Sequence, residues 1–305
     1  MSKQQACVAI TGATGFIGRA ALELLISRHY TVQALCRRPT QKQGVNFVKG
    51  DLNDRDALLS IANAADTFIH IAGLTKARSL KQLLDVNEHG AVNAAKAAIE
   101  AKVKLFILVS SIAAREPHLS DYAKSKRAGE DSVRKALEGS ATRLLIIRPT
   151  AILGPGDDAT APMMNILRRG FLPAPAGAAR KNGRMSFVYV DDVARFIVDQ
   201  IKAPISAPIL TPHGATRETS WQELADSAAN ILSKPVRVIP IPSWILKLAA
   251  WINQTISTIF SRSDHFNTGK VRELLHSDWT GEIEIENAYT LDQTLRHAFE
   301  LGAEN

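Results

Sequence analysis

A doubly wound α/β fold, in which helices cover both faces of a parallel sheet, is predicted by two features of the 305-residue chain. Cys7 to Gly18 reads Cys-Val-Ala-Ile-Thr-Gly-Ala-Thr-Gly-Phe-Ile-Gly: an apolar run without polar alternation breaks into three glycines spaced three apart and then becomes helical. That is a buried parallel strand, a tight turn and a helix start. Strand-length apolar runs then alternate with helical periods as far as Ile147. Strands joined by helices imply parallel pairing with right-handed crossovers, a Rossmann-type sheet.

The elements follow in order. Gly12 lets the chain turn sharply, Gly15 leaves the backbone open to a pyrophosphate, and Gly18 lets the next helix pack closely on the strand. Phosphate would meet free N–H groups and the positive end of that helix. Phe16, Ile17, Ala20, Ala21, Leu24 and Leu25 give the helix an apolar face as far as about Arg28. Strands are expected over Thr31 to Cys36 and near Asn46 to Val48, then a short helix over Asp54 to Ala62 and a strand over Thr67 to Ile71. A long helix over Leu80 to Ala101, a strand over Leu105 to Val109, a helix over Tyr122 to Leu137 and a strand over Arg143 to Ile147 complete the alternation. Pro and Gly become dense from Gly154 to Gly183, before the chain returns with Met185 to Val190 and a helix from Asp191. Residues 1–150 and 185–208 are therefore assigned to a dinucleotide-binding domain, and residues 151–184 and 209–305 to a smaller, mostly helical substrate lobe.

Composition narrows the class. At 46% hydrophobic and 22% charged the chain is ordinary for a soluble globular protein. The net charge of +7 is scattered, without a basic run interleaved with aromatics, which favours anionic small ligands over nucleic acid. Cys7 and Cys36 fall on separate strands and are expected as reduced core thiols, with a cytoplasmic location. Met1 to Gln5 leads straight into a strand, so no signal peptide is read, and no run reaches the ~18 apolar residues of a membrane span.

The second strand points to the cofactor. It ends in Arg37-Arg38, and no acidic residue occurs from Leu24 to Gly50. An Asp or Glu here holds the ribose 2′-hydroxyl of NAD, whereas a 2′-phosphate wants Arg, so NADP is expected over NAD. Asp51-Leu52 follows the third strand, where a carboxylate would reach the adenine amine. The chemistry is expected at Tyr122 and Lys126, which share one helix face at i, i+4 spacing. A Tyr hydroxyl near pKa ~10 exchanges protons poorly at neutral pH, and a nearby ammonium favours its phenolate. Such a pair would trade a proton with a substrate oxygen. Val109-Ser110-Ser111 adds a hydroxyl-rich strand end shortly before.

The glycine turn, Asn87 in Asp-Val-Asn-Glu-His-Gly, Ser110-Ser111, Tyr122 to Lys126, Arg148-Pro149-Thr150 and Phe187 to Val193 together resemble the extended short-chain dehydrogenase/reductase superfamily, most closely its NAD-dependent epimerase/dehydratase-type members. The similarity runs in order from about Val8 to Val193. It implies Tyr122 as acid or base, Lys126 on the nicotinamide ribose, Ser111 in preference to Ser110 as the serine orienting the substrate oxygen, and Asn87 supporting the lysine through water. It also implies cofactor contacts from Gly12, Thr14, Gly15, Phe16, Ile17, Gly18, Arg37, Arg38, Asp51, Leu52, Ala72, Gly73, Tyr122, Lys126 and Pro149, no metal, and a homodimer paired through Leu80 to Ala101 and Tyr122 to Leu137.

Three departures shape the expectation. The Ser111 to Tyr122 gap is shorter than in sugar-nucleotide epimerases, His70-Ile71-Ala72-Gly73 puts a structural or cofactor-side His after the fourth strand, and Ile112 and Ala113 replace the acidic neighbour that dehydratases place beside the Ser. The reading is an NADP-dependent oxidoreductase of a hydrophobic carbonyl or hydroxyl compound; the alternatives are a nucleotide-sugar epimerase with retained nicotinamide and a non-catalytic cofactor-binding scaffold. Substrate class rests on Ser243 to Phe260, where Ser243, Lys247, Gln254 and Thr258 form a narrow polar stripe and Trp244, Leu248, Trp251, Ile252, Ile256 and Ile259 a wide apolar face. That face is expected to pack as core, to line an apolar substrate pocket or to touch a membrane surface, with the pocket preferred between the last two. Arg180, Lys181 and Arg184 are the basic residues placed to serve a diphosphate instead.

Overall fold

The computed structural model describes residues 6–38, 40–177, 181–259 and 267–300. Its central sheet takes β1 (Cys7–Thr11), β2 (Thr31–Cys36), β3 (Val45–Lys49), β4 (Thr67–His70), β5 (Leu105–Val109) and β6 (Arg143–Ile147) from the runs read as strands. β1, β4 and β5 are buried at every residue, as strands covered on both faces must be. The strand Ile209–Leu210 makes the seventh, and the order across the sheet is Ile209–Leu210, β6, β5, β4, β1, β2, β3, parallel throughout. The chain lays β1 to β3 outward to one side and then crosses back to build β4 to β6 on the other. At the carboxyl ends of β1 and β4 the connections diverge, and a crevice opens there. Thr11 and His70 sit opposite each other at that point.

One helix layer holds α1 (Phe16–Ser27) and Val190–Asp199, packed over Val8, Ile10, Val32, Ile69 and Ile107. The other holds α2 (Arg55–Ala62), α3 (Leu80–Leu84) with its continuation α4 (Ala91–Glu100), and α5 (Asp121–Leu137), over Ala9, Phe68, Phe106 and Leu108. Asp54, Ser79 and Ser120 cap α2, α3 and α5 by accepting from the backbone N–H of Ala57, Gln82 and Ala123.

Three expectations are corrected. The smaller lobe does not begin at residue 209, because Ile209 and Leu210 pair with Ile146 and Ile147 in the main sheet; two residues are too few to show a strand period. Met185 to Val190 does not return to that sheet: Phe187–Tyr189 pairs with Ala151–Leu153 in a separate ladder, and only the helix after it rejoins the main domain. Leu80 to Ala101 is not one regular helix but is widened by a π-helical turn, Asp85–Gly90, around the buried Asn87. α5 lies against this turn at Gly129, where a Cβ would fall 2.2 Å from the Asn87 carbonyl oxygen.

The smaller lobe has its own core of Leu153, Met164, Leu167, Leu172, Trp221, Leu224 and Leu295. Its strands Phe171–Pro175 and Arg237–Ile241 pair in parallel, and the helices Ser243–Ile259 and Thr268–Leu275 pack together beyond them.

Candidate active site

A cleft of about 1550 Å³ lies between the switch point and the smaller lobe. This exceeds the roughly 300–1,000 Å³ of a pocket for one small molecule, so a dinucleotide and a second ligand fit together.

The end nearest β1 fits a dinucleotide. Gly12 has φ +77°, and a Cβ on Gly18 would lie 1.9 Å from the Gly12 carbonyl oxygen, so only glycine allows α1 to start so close to the strand. No side chain caps that start and its first turn has no acid, which leaves N–H groups and the positive helix end for an anion. Gly12, Thr14, Gly15, Phe16, Ile17, Arg37, Asp51, Leu52, Ala72, Gly73 and Pro149 all line the cleft. Arg38 is exposed and does not, so of the expected Arg pair Arg37 alone reaches the cleft. Gly18 is buried behind the turn and acts through packing.

The reactive cluster follows from α5. Tyr122, Lys126 and Glu130 stand one turn apart on the face toward β5 and β6. Lys126 Nζ donates to the Val109 carbonyl at 2.9 Å, and burial holds its pKa down to about 8, with the Glu130 charge opposing the fall. Ser111, at the end of β5, caps the short 3₁₀ turn Ile112–Arg115 and hydrogen-bonds the Tyr122 phenol. The expected lowering of the Tyr122 pKa is corrected. Burial pushes it up to about 12; the Ser111 hydroxyl opposes this, and the carboxylates of Glu273 and Asp157 add to it. In this state the phenol is protonated at neutral pH, and its raised pKa makes it a weaker proton donor than a free tyrosine.

Ser110 has a different employment. Its hydroxyl donates to the buried Glu130 carboxylate at 2.5 Å, which also receives Arg148 Nε at 2.8 Å and Nη2 at 2.5 Å. Asn87 accepts from the Leu74 N–H at 2.7 Å and donates to the Leu74 carbonyl and the Ser125 hydroxyl, each at 2.9 Å. Both its N–H donors are thereby used, and it ties the loop after β4 to α5 without touching Lys126 directly. His70 is buried, shares a 2.8 Å hydrogen bond with the Thr11 hydroxyl, and has no partner on Nε2. Burial and then the nearby Lys126 charge hold its pKa down to about 3. It spans the switch point as a neutral ring, and no group of three metal-ligating side chains occurs among the described residues.

Sequence reasoning missed Glu130, Glu273 and Asp157. Glu130 was findable, since Tyr122, Lys126 and Glu130 continue one i, i+4 series. Glu273 and Asp157 reach Tyr122 only through the fold of the smaller lobe. Glu273 accepts from the Ser120 hydroxyl, and from Lys270 Nζ at 3.0 Å.

The smaller-lobe side of the cleft carries Ile152, Met163, Ile166, Leu172, Phe187, Trp221 and Leu274 beside the polar Asp157, Asp158, Thr160, Gln254, Asn267, Thr268 and Glu273. The basic residues of the smaller lobe that line it, among those described, are Lys270 and Arg272, engaged with Glu273 and with the Leu119 carbonyl. Lys181 and Arg184 do not line it, and Arg180 lies outside the described residues. The expectation that Trp244, Leu248, Trp251 and Ile252 line a substrate pocket is also corrected: they face solvent, and among the described side chains of their helix it is Gln254 that reaches the cleft. The side chains of Ile256, Thr258 and Ile259, and Phe260 altogether, lie outside the described residues.

A Rossmann sheet, a dinucleotide cradle at its switch point and a Ser-Tyr-Lys cluster beside it define an NAD(P)-dependent enzyme of the short-chain dehydrogenase/reductase type. The chain belongs to the NAD-dependent epimerase/dehydratase family, whose profile matches residues 8–208. It is 39% identical over 279 residues to a ceramide reductase of Caulobacter vibrioides, covering 90% of this chain and 85% of that one. It is 28% identical over 333 aligned positions to a UDP-glucose 4-epimerase of Vibrio cholerae, covering 99% and 96%. The structure of MoeE5 in complex with UDP-glucuronic acid and NAD superposes with a TM-score of 0.70 at 19% identity, covering 98% and 99%, and shares the fold.

Proposed function

We propose that the protein is an NADP-dependent reductase of a hydrophobic carbonyl compound, with the cofactor along Gly12 to Gly18 and Arg37 and the carbonyl at Tyr122 and Ser111. When bound, the nicotinamide supplies the hydride. Tyr122 Oη gives the proton to the carbonyl oxygen, Ser111 Oγ orients that oxygen, and Lys126 supplies positive charge beside them. The phenol carries its proton at neutral pH, as a donor must, and the phenolate it leaves has to be stabilised, the task assigned to Lys126.

The observation that carries the substrate class is the character of the far wall. Apolar side chains from Ile152 to Leu274 line it, the basic side chains that the described smaller lobe adds are already engaged, and Glu273 and Asp157 bring carboxylates toward Tyr122. Those carboxylates are themselves engaged, Glu273 with Ser120 and Lys270 and Asp157 with Ala159 and Thr160, so the substrate class rests on the apolar residues of the wall. The 39% identical ceramide reductase points the same way, toward a long-chain amide lipid. Buried, unpaired Cys7 and Cys36 accord with a reducing, cytoplasmic setting.

Cofactor consumption by the purified protein tests this, comparing a long-chain acylamino ketone with UDP-glucose. Oxidation of NADPH with the ketone is expected. Conversion confined to UDP-glucose would replace the reading with an epimerase.

A further inference from the structure

The Ser243–Ile259 helix is amphipathic with its sides reversed. Its buried side is narrow: Leu246 and Ala250 pack on Val271, Leu274 and Leu275. Its outer side carries Trp244, 65% exposed, and Trp251, 61% exposed, with Leu248 and Ile252 between them. At 3.6 residues per turn these four fall within an arc of about 100°. Two exposed Trp on one continuous apolar arc mark an interaction surface.

Charge selects the occupant. From Ser233 to Ile259 the chain holds Lys234, Arg237 and Lys247 and no Asp or Glu. Lys247 borders the apolar arc, and the Arg237–Ile241 strand runs into the helix through Pro242, adding the exposed Ile239. A second copy docked through this face about a two-fold axis would gather Lys234, Arg237 and Lys247 of both copies with no acid on the segment to pair with them. An anionic lipid surface meets both features: indole rings settle at the headgroup level, and Lys and Arg bind the phosphates.

We propose that this helix seats the protein on an anionic phospholipid bilayer, lying in the plane of the interface. Among the described residues no helix is long and apolar enough to cross a membrane, so the contact is peripheral. Gln254, on the polar edge of the helix, accepts from the Thr268 hydroxyl at 2.8 Å and lines the cleft. The seated helix is thus part of the cleft's rim and brings its mouth to the lipid. The seating rests on the surface alone and stands whether or not the substrate reading does.

Co-sedimentation of the full chain with vesicles of phosphatidylcholine, with and without phosphatidylglycerol, tests it alongside Trp emission. Binding to the phosphatidylglycerol vesicles with a blue shift is expected. Trp244→Ser with Trp251→Ser should lower that binding at least tenfold, Lys247→Glu should weaken it, and both variants should keep wild-type NADPH affinity. Trp221 and Trp279 remain to report an intact fold. No binding at millimolar lipid, equal binding by the double Trp variant, or equal binding to phosphatidylcholine alone would overturn the proposal. Self-association abolished by the Trp substitutions, without vesicle binding, would give the face to a second copy.

Discussion

Glu130→Gln keeps the shape of the side chain and removes its charge, leaving Arg148, whose side chain is 11% exposed, without its carboxylate. Breaking a buried ion pair from one side costs about 3–5 kcal/mol, because the remaining charge stays desolvated. Against a total stability of about 5–15 kcal/mol that is a large loss, yet one a folded protein survives. A second effect follows at Lys126, whose pKa of about 8 is supported by the Glu130 charge. Without it the ammonium loses its proton at lower pH, and since the reaction needs that positive charge, the alkaline limb of the pH–rate profile moves down. Urea unfolding reads the first effect and kcat/KM against pH the second. Removing both partners, Glu130→Leu with Arg148→Met, should recover most of the stability but not the alkaline limb. A loss under about 1 kcal/mol with an unmoved profile would refute the reasoning, since a buried unpaired guanidinium has to cost more.

Other outcomes follow from the same geometry. Arg37→Ala should weaken NADPH binding about ten- to a hundredfold, the worth of hydrogen bonds to a charged phosphate, and leave NADH nearly unchanged; calorimetric titration of both cofactors reads this, and an equal loss for NADH would contradict it. His70 is buried neutral with its pKa held near 3, well below the 6.5 of a free ring, so it contributes stability above pH 6.5 that is lost as pH falls toward 3. The slope is about 1.4 kcal/mol per pH unit in that window, and unfolding at stepped pH should show His70→Asn flattening it. The dimer implied by family resemblance, through the outer faces of Leu80 to Ala101 and Tyr122 to Leu137, predicts a two-protomer mass by light scattering at micromolar concentration; a monomer would refute it.

Much of the sheet was legible because strands such as β1 and β5 are continuous apolar runs, and the glycine turn because three glycines follow the first of them. Tyr122 and Lys126 were legible as a pair from helix spacing and Ser110-Ser111 from a strand end, while the choice of Ser111 over Ser110 came from the family resemblance. The two-residue strand at Ile209 was not, since nothing that short carries a period. The Tyr122 pKa was misread because a pair of residues says nothing of burial, which here outweighs the Ser111 hydrogen bond. Glu273 stands 151 positions beyond Tyr122, and only the packing of the smaller lobe joins them. The apolar face at Trp244 and Trp251 was legible as a face; that it turns to solvent while Leu246 and Ala250 pack inward was not.

The central claim is that Tyr122 donates the proton in an NADPH-dependent reduction. It is tested most directly by the single-turnover rate of NADPH oxidation by Tyr122→Phe with an apolar ketone, measured beside its calorimetric affinity for NADPH. The rate should fall by about a hundredfold or more while the affinity stays within about twofold of the wild type. A Tyr122→Phe enzyme that reduces the ketone at the wild-type rate would contradict the account and assign the proton to another group.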